Sequence, residues 1–91
     1  MSQTAQHIIF KGHVQGVGFR YVTQRIASQF PVTGYVRNLP DGTVEAVIQG
    51  DEEEIQNCLS KIQDYFSGHI RDTAISPIVY NCHLKSFEIT F

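Results

Sequence analysis

Apolar and polar positions recur with two different periods along the chain, and the changes of period mark its elements. His7-Ile8-Ile9-Phe10-Lys11 reads as a strand. After a glycine-punctuated stretch, Phe19, Val22, Ile26 and Phe30 recur at helical spacing, and Pro31 ends that helix. Val32 to Leu39 is a second strand. Pro40-Asp41-Gly42 is a tight turn in which glycine supplies positive φ. Thr43 to Gly50 returns as the hairpin partner, with Val44, Ala46 and Ile48 on one face. Asp51 caps a second helix, and Glu54 three residues on completes a capping-box pattern. The stripe Ile55, Cys58, Leu59, Ile62 and Phe66 follows that helix until Ser67-Gly68 closes it. Thr73 to Val79 reads as a strand whose Pro77 marks an edge or a bulge. Phe87-Glu88-Ile89-Thr90-Phe91 alternates as a short terminal strand.

The order β-α-β-β-α-β is the split βαβ arrangement. It predicts an α+β fold, a ferredoxin-like sandwich whose mostly antiparallel sheet carries two helices on one face. Many unrelated functions share that fold, so the architecture alone assigns none.

Composition narrows the field. Ninety-one residues are the length of one domain, here taken as 1–91. A chain this short buries only about two-thirds of its unfolded surface, yet 42% hydrophobic residues, with six Phe and four Tyr, suffice for a core without metal or disulfide staples. A net charge of −2 and the lack of any Lys/Arg run argue against nucleic acid or an anionic membrane as partner. The longest apolar run is far shorter than the roughly 18 residues that read as a membrane span. Met1 to Gln6 has neither the basic nor the apolar region of a signal peptide. A cytoplasmic monomer is therefore expected. Cys58, on an apolar stripe, reads as a small buried hydrophobe, and Cys82 as a free thiol in a polar connection.

The candidate chemistry lies in Gly12-His13-Val14-Gln15-Gly16-Val17-Gly18-Phe19-Arg20. A strand–glycine loop–helix junction aims several backbone N–H groups into one concavity, and the positive end of the helix dipole faces the same point. Arg20, in the first turn, is placed to close over an anion through paired hydrogen bonds. The loop lacks the Gly-Lys-Ser/Thr ending of a nucleotide-binding P-loop, and no carboxylate cluster suited to Mg²⁺ accompanies it. His13 stands near the loop and reads as exposed rather than catalytic. His7, His69 and His83 show no metal spacing and read as surface residues.

Three segments together, Gly12 to Arg20, Gly34-Tyr35-Val36-Arg37-Asn38 and Asp41-Gly42-Thr43-Val44-Glu45, resemble the acylphosphatase family over about His7 to Gly50. Singly, Arg20 is an ordinary helix-surface residue and Asn38 an ordinary turn residue; their joint spacing carries the resemblance. It implies hydrolysis of the carboxyl–phosphate bond of a small-molecule acyl phosphate, with no metal or other cofactor. It also implies a phosphate cradle of Gln15, Gly16, Val17, Gly18 and Phe19, catalytic roles for Arg20 and Asn38, and support from Thr23. The chain departs from the family at Phe30-Pro31-Val32, at Tyr35 where tryptophan is common, and over His69 to His83. An RNA-binding module on the same fold is the main rival, but Thr43 to Gly50 has no aromatic for base stacking. The second rival is a phosphate-sensing unit such as opens some carbamoyl-transferring maturation proteins. A chain ending at Phe91 favours the free-standing enzyme.

Overall fold

The two periods resolve into seven elements in a computed structural model of the protein, which describes residues 3–91. They are β1 (Gln3–Gly12), α1 (Phe19–Ala27), β2 (Thr33–Asn38), β3 (Val44–Asp51), α2 (Glu52–Tyr65), β4 (Ile70–Ile78) and β5 (Phe87–Ile89). The strands form one sheet in the order β4-β1-β3-β2-β5. Every pairing is antiparallel except β2 with β5, which is parallel. The first four strands therefore have the ferredoxin-like order, and β5 extends the sheet beyond β2.

Register decides which side chains meet. Ile8 lies opposite Ala46 and Phe10 opposite Val44, while Val36 also lies beside Ala46, so these residues share one face of the sheet. Both helices cover that face. Phe19, Ile26 and Ala27 of α1 join Ile55, Cys58, Leu59 and Ile62 of α2 in the same buried cluster. The expected trio Val44, Ala46 and Ile48 is fully buried. Burial also pushes the Cys58 thiol up to about 12, so it stays protonated and inert at neutral pH. Cys58 and Cys82 are both free.

Several boundaries move for identifiable reasons. The first helix stops at Ala27, three residues short of Phe30. Pro31 disfavours helical backbone at the residue before it, and the chain tightens in advance, with Gln29 N–H donating to Ile26 O and Phe30 N–H to Ala27 O, each at 3.0 Å. Asp51 caps α2 as expected, but its carboxylate accepts from Glu53 N–H at 3.1 Å, and no reciprocal bond from Glu54 completes a box among the described residues. Pro77 sits on β4, an outer strand of the sheet, where a missing donor leaves no central ladder broken. The irregularity in β1–β4 pairing falls instead between Lys11 and Gly12.

On the other face, the segment between β4 and β5 is pinned by one buried side chain. The Gln49 amide donates to Asn81 O at 2.7 Å and to Thr33 Oγ1 at 3.1 Å, and accepts from Asn81 N–H at 3.1 Å. His7, expected at the surface, is instead half-buried against Glu45. Its Nε2 lies 2.8 Å from Glu45 Oε2, and Arg37 Nε lies 2.5 Å from Oε1. Burial by itself would raise the Glu45 carboxyl; the bonds from His7 and Arg37 override it and hold the group below its ordinary value. A depressed carboxylate stabilises the fold above its unfolded pKa, and that contribution disappears as pH falls through the lower folded value. Glu45→Gln should therefore lower Tm at neutral pH and converge with the parent in strong acid. Parallel Tm–pH curves for the two proteins would remove the ion pair from the stability of this face.

Candidate active site

The loop between β1 and α1 owes its shape to two glycines. Gly16 and Gly18 have φ of 78° and 77°, whereas no non-glycine residue has positive φ among the described residues. Val17 between them is therefore in the ordinary region. Alternation of this kind is the backbone pattern from which anion-binding concavities are built. A Cβ on either glycine would meet nothing within 4 Å. Backbone conformation, not crowding, requires glycine here, and the space before the loop is open.

Gly18 is also the N-cap of α1 and supplies no side-chain bond to the first turn, which contains no acidic residue. The contrast with α2 is instructive. There Asp51 caps the helix, and Glu52, Glu53 and Glu54 offset its dipole from within the first turn. The α1 amides have neither form of compensation, and Arg20 adds positive charge beside them. An anion is the complement of that arrangement.

Packing beneath the loop holds it in place. The Phe19 ring lies 4.9 Å from Phe10 and stacks 4.3 Å from Phe66, anchoring the first turn of α1 to β1 and to the end of α2. Gln15 reaches the other way. Its amide donates to Leu39 O at 2.7 Å and Thr43 O at 2.8 Å, tying the loop to the β2–β3 hairpin. Asn38, the last residue of β2, is thereby kept beside the loop. The Gln15 side chain is a strut between the loop and the hairpin.

Gly16, Gly18, Phe19, Arg20 and Asn38 line one cleft of about 230 Å³, walled further by Val14, Tyr21, Ile89 and Phe91. Its volume is below the roughly 300 Å³ at which pockets for drug-sized ligands begin, so it has room for a small ligand only. Arg20 makes no ion pair among the described residues; its Cζ lies 4.8 Å from the centre of the Phe91 ring. The Asn38 amide likewise has no protein hydrogen-bond partner among them. Both groups are half-buried with their polar atoms uncommitted.

Other expected residues lie outside the cleft. Gln15 and Val17 are not in its lining. Thr23 is fully buried, and its hydroxyl has no hydrogen-bond partner among the described residues, so no such bond joins it to Asn38 or the loop. His13 is exposed, donates its N–H to His69 O at 2.9 Å, and keeps its ring 6.0 Å from that of His69. No group of three or more His, Cys, Asp or Glu side chains is placed to share a metal among the described residues. No helix among them is long and apolar enough to cross a membrane. Ile89 and Phe91 were not anticipated as site residues. The signal was available in the alternation of Phe87, Ile89 and Phe91, which places all three on the helix side.

A profile of the acylphosphatase family matches residues 6–89. An acylphosphatase of Bordetella parapertussis is 55% identical over 53 residues, which make up 58% of this chain and 56% of the relative, less than two thirds of the latter's length. An acylphosphatase of Methanospirillum hungatei is 40% identical over 82 residues, covering 90% of this chain and 82% of the relative. The crystal structure of acylphosphatase from Bacillus subtilis superposes with a TM-score of 0.88 at 31% identity, over 97% of this chain and 99% of that one. The likeness thus extends through both helices and all five strands, including the segment past His69 where the sequence pattern departs. The chain belongs to the acylphosphatase family.

Proposed function

We propose that the protein hydrolyses the carboxyl–phosphate anhydride bond of small acyl phosphates, releasing carboxylate and inorganic phosphate. The observation that carries this reading is the convergence of an uncompensated helix N-terminus, Arg20 and Asn38 on one small cleft. The backbone of the Gln15 to Phe19 loop, of which Gly16, Gly18 and Phe19 line the cleft, and the Arg20 guanidinium hold the phosphoryl oxygens. Asn38 accepts a hydrogen bond from a water molecule and donates another, and Thr23 supports the site from within the core. Asn38 does not act as a base, since a carboxamide takes no proton near neutral pH.

The chemistry asks for little more. Water oxygen bonds to phosphorus while the bond from phosphorus to the bridging oxygen breaks, and the electron pair leaves on the carboxylate. One water proton passes to a phosphoryl oxygen. A carboxylate is a good leaving group without protonation, so a general acid is dispensable. Charge spreads over the equatorial oxygens of a loose transition state, where fixed N–H donors and a guanidinium stabilise it. In this reading the domain acts as a cytoplasmic monomer.

Turnover of a synthetic aryl acyl phosphate tests the reading directly. Activity should survive dialysis against a chelator, because loop amides and Arg20 supply the positive charge. Inorganic phosphate should inhibit competitively. Absence of turnover would overturn the hydrolase assignment, and activity lost to the chelator but restored by Mg²⁺ would overturn its metal independence.

A further inference from the structure

Between them, α1 and α2 leave a groove of about 430 Å³ for which the proposed hydrolysis has no use. The helices run antiparallel there. Phe19, at the start of α1, stacks on Phe66 at the end of α2, whereas Gln29, just past the end of α1, accepts a 2.8 Å hydrogen bond from Lys61 Nζ, more than one turn back along α2. That orientation sorts the groove chemically. Tyr21 and Tyr65, 57% and 64% exposed, stand toward one end. Arg25 and Lys61, each one turn from the tyrosine of its own helix, stand toward the other. The Arg25 guanidinium lies 5.7 Å from the centre of the Tyr21 ring. Neither cation makes an ion pair among the described residues, although Asp64 follows Lys61 by three positions. Beneath them the lining is apolar, with Ile26 from the core and Val22 packed against it. A chain of net charge −2 thus sets two unpaired cations beside two exposed aromatic rings.

We propose that this groove is a second ligand site that takes a small aromatic carboxylate, its ring against Tyr21 and Tyr65 and its carboxylate between Arg25 and Lys61. The inference does not depend on the hydrolase reading. A ring seated there gains offset or edge contacts with the tyrosines and covers apolar surface otherwise left in water. The volume falls in the lower part of the roughly 300–1,000 Å³ range of small-molecule pockets, room for about one or two fused rings. The anion follows from the donors present. A guanidinium fork matches the two oxygens of a carboxylate, and the Lys61 ammonium adds a further donor. The groove runs along the sides of the helices, whose backbone N–H groups bond within them, so side chains alone hold the charge. That separates it from the loop before α1, where free amides favour a phosphoryl group.

Titration of 2-naphthoate into the protein, followed by calorimetry and by amide NMR, tests the site. Shifts should concentrate at 21–29 and 61–65, and binding should persist in Arg20→Ala, whose change lies in the cleft. Naphthalene-2-methanol keeps the ring without the charge, and acetate keeps the charge without the ring. Each should bind roughly tenfold more weakly than 2-naphthoate, or worse, because each forfeits one half of the groove. Arg25→Gln and Lys61→Gln should each weaken 2-naphthoate by roughly fivefold and leave naphthalene-2-methanol nearly unchanged. Tyr65→Ala should weaken both. All three residues are exposed, so thermal melting should stay close to that of the parent; if a variant does not fold, the three-ligand comparison in the parent decides. Failure of 2-naphthoate to bind, or equal binding of the ring with and without its charge, overturns the site. So does parent-like affinity in the folded variants. Shifts confined to 16–20 and 38 would overturn it as well, by placing the carboxylate in the cleft. None of these failures touches the hydrolase assignment, which turnover of an acyl phosphate tests separately.

Discussion

Arg20→Lys should lower kcat/KM for an acyl phosphate by about 10³-fold or more while leaving the protein folded. The size follows from what an arginine contributes when charge develops on a transferring phosphoryl group. Lysine keeps the positive charge and some cation–π contact with Phe91. It lacks the planar fork that donates two parallel N–H bonds to adjacent oxygens. Stability should be nearly unaffected, because Arg20 is half-buried, makes no ion pair among the described residues, and leaves the anchoring of α1 to Phe19. Thermal melting beside steady-state kinetics separates the two effects. Near-normal kinetics in a folded Lys variant would remove Arg20 from the proposed site. A melting temperature that collapses with activity would instead make it a structural residue.

The same division between local and long-range causes explains what was legible in the sequence. Hairpin and helices were readable because their determinants are local. Val44, Ala46 and Ile48 alternate, Ile55 to Phe66 follow one helical stripe, and Asp51 is a strong N-cap. The loop was readable because positive φ at Gly16 and Gly18 leaves a mark in residue type. What escaped depends on partners distant in sequence. β5 runs parallel to β2 and packs against α1, and a three-residue strand carries no sign of either neighbour. His7 looks like a surface histidine until β3 brings Glu45, two residues from its partner Val47, diagonally across from it, 38 residues away in sequence. Gln15 belongs to the loop by position, yet its side chain serves the β2–β3 hairpin, 24 and 28 residues on. Phe91 shows the same limit most plainly. Its alternation with Ile89 reads only as a short strand, and its place beside Arg20 needed the β2–β5 ladder.

Asn38→Ala is the sharper test of mechanism, since here binding and chemistry should come apart. If Asn38 only orients water, phosphate held by the loop and Arg20 stays bound when the carboxamide is removed. kcat should then fall by roughly 10²-fold or more, the effect of deleting one preorganised hydrogen-bonding group, with only a modest change in inhibition by inorganic phosphate. The fold should tolerate the change. Asn38 contributes backbone pairing to Val44, which alanine retains, and its side chain bonds to no protein group among the described residues. A residue that merely ended a strand before Pro40-Asp41-Gly42 would behave differently, costing some stability and leaving kcat near the parent value. A third outcome is also informative. Loss of phosphate inhibition in parallel with kcat would move Asn38 from the water to the cradle, and the uncommitted amide at the end of β2 would then be a ligand of the phosphoryl group itself.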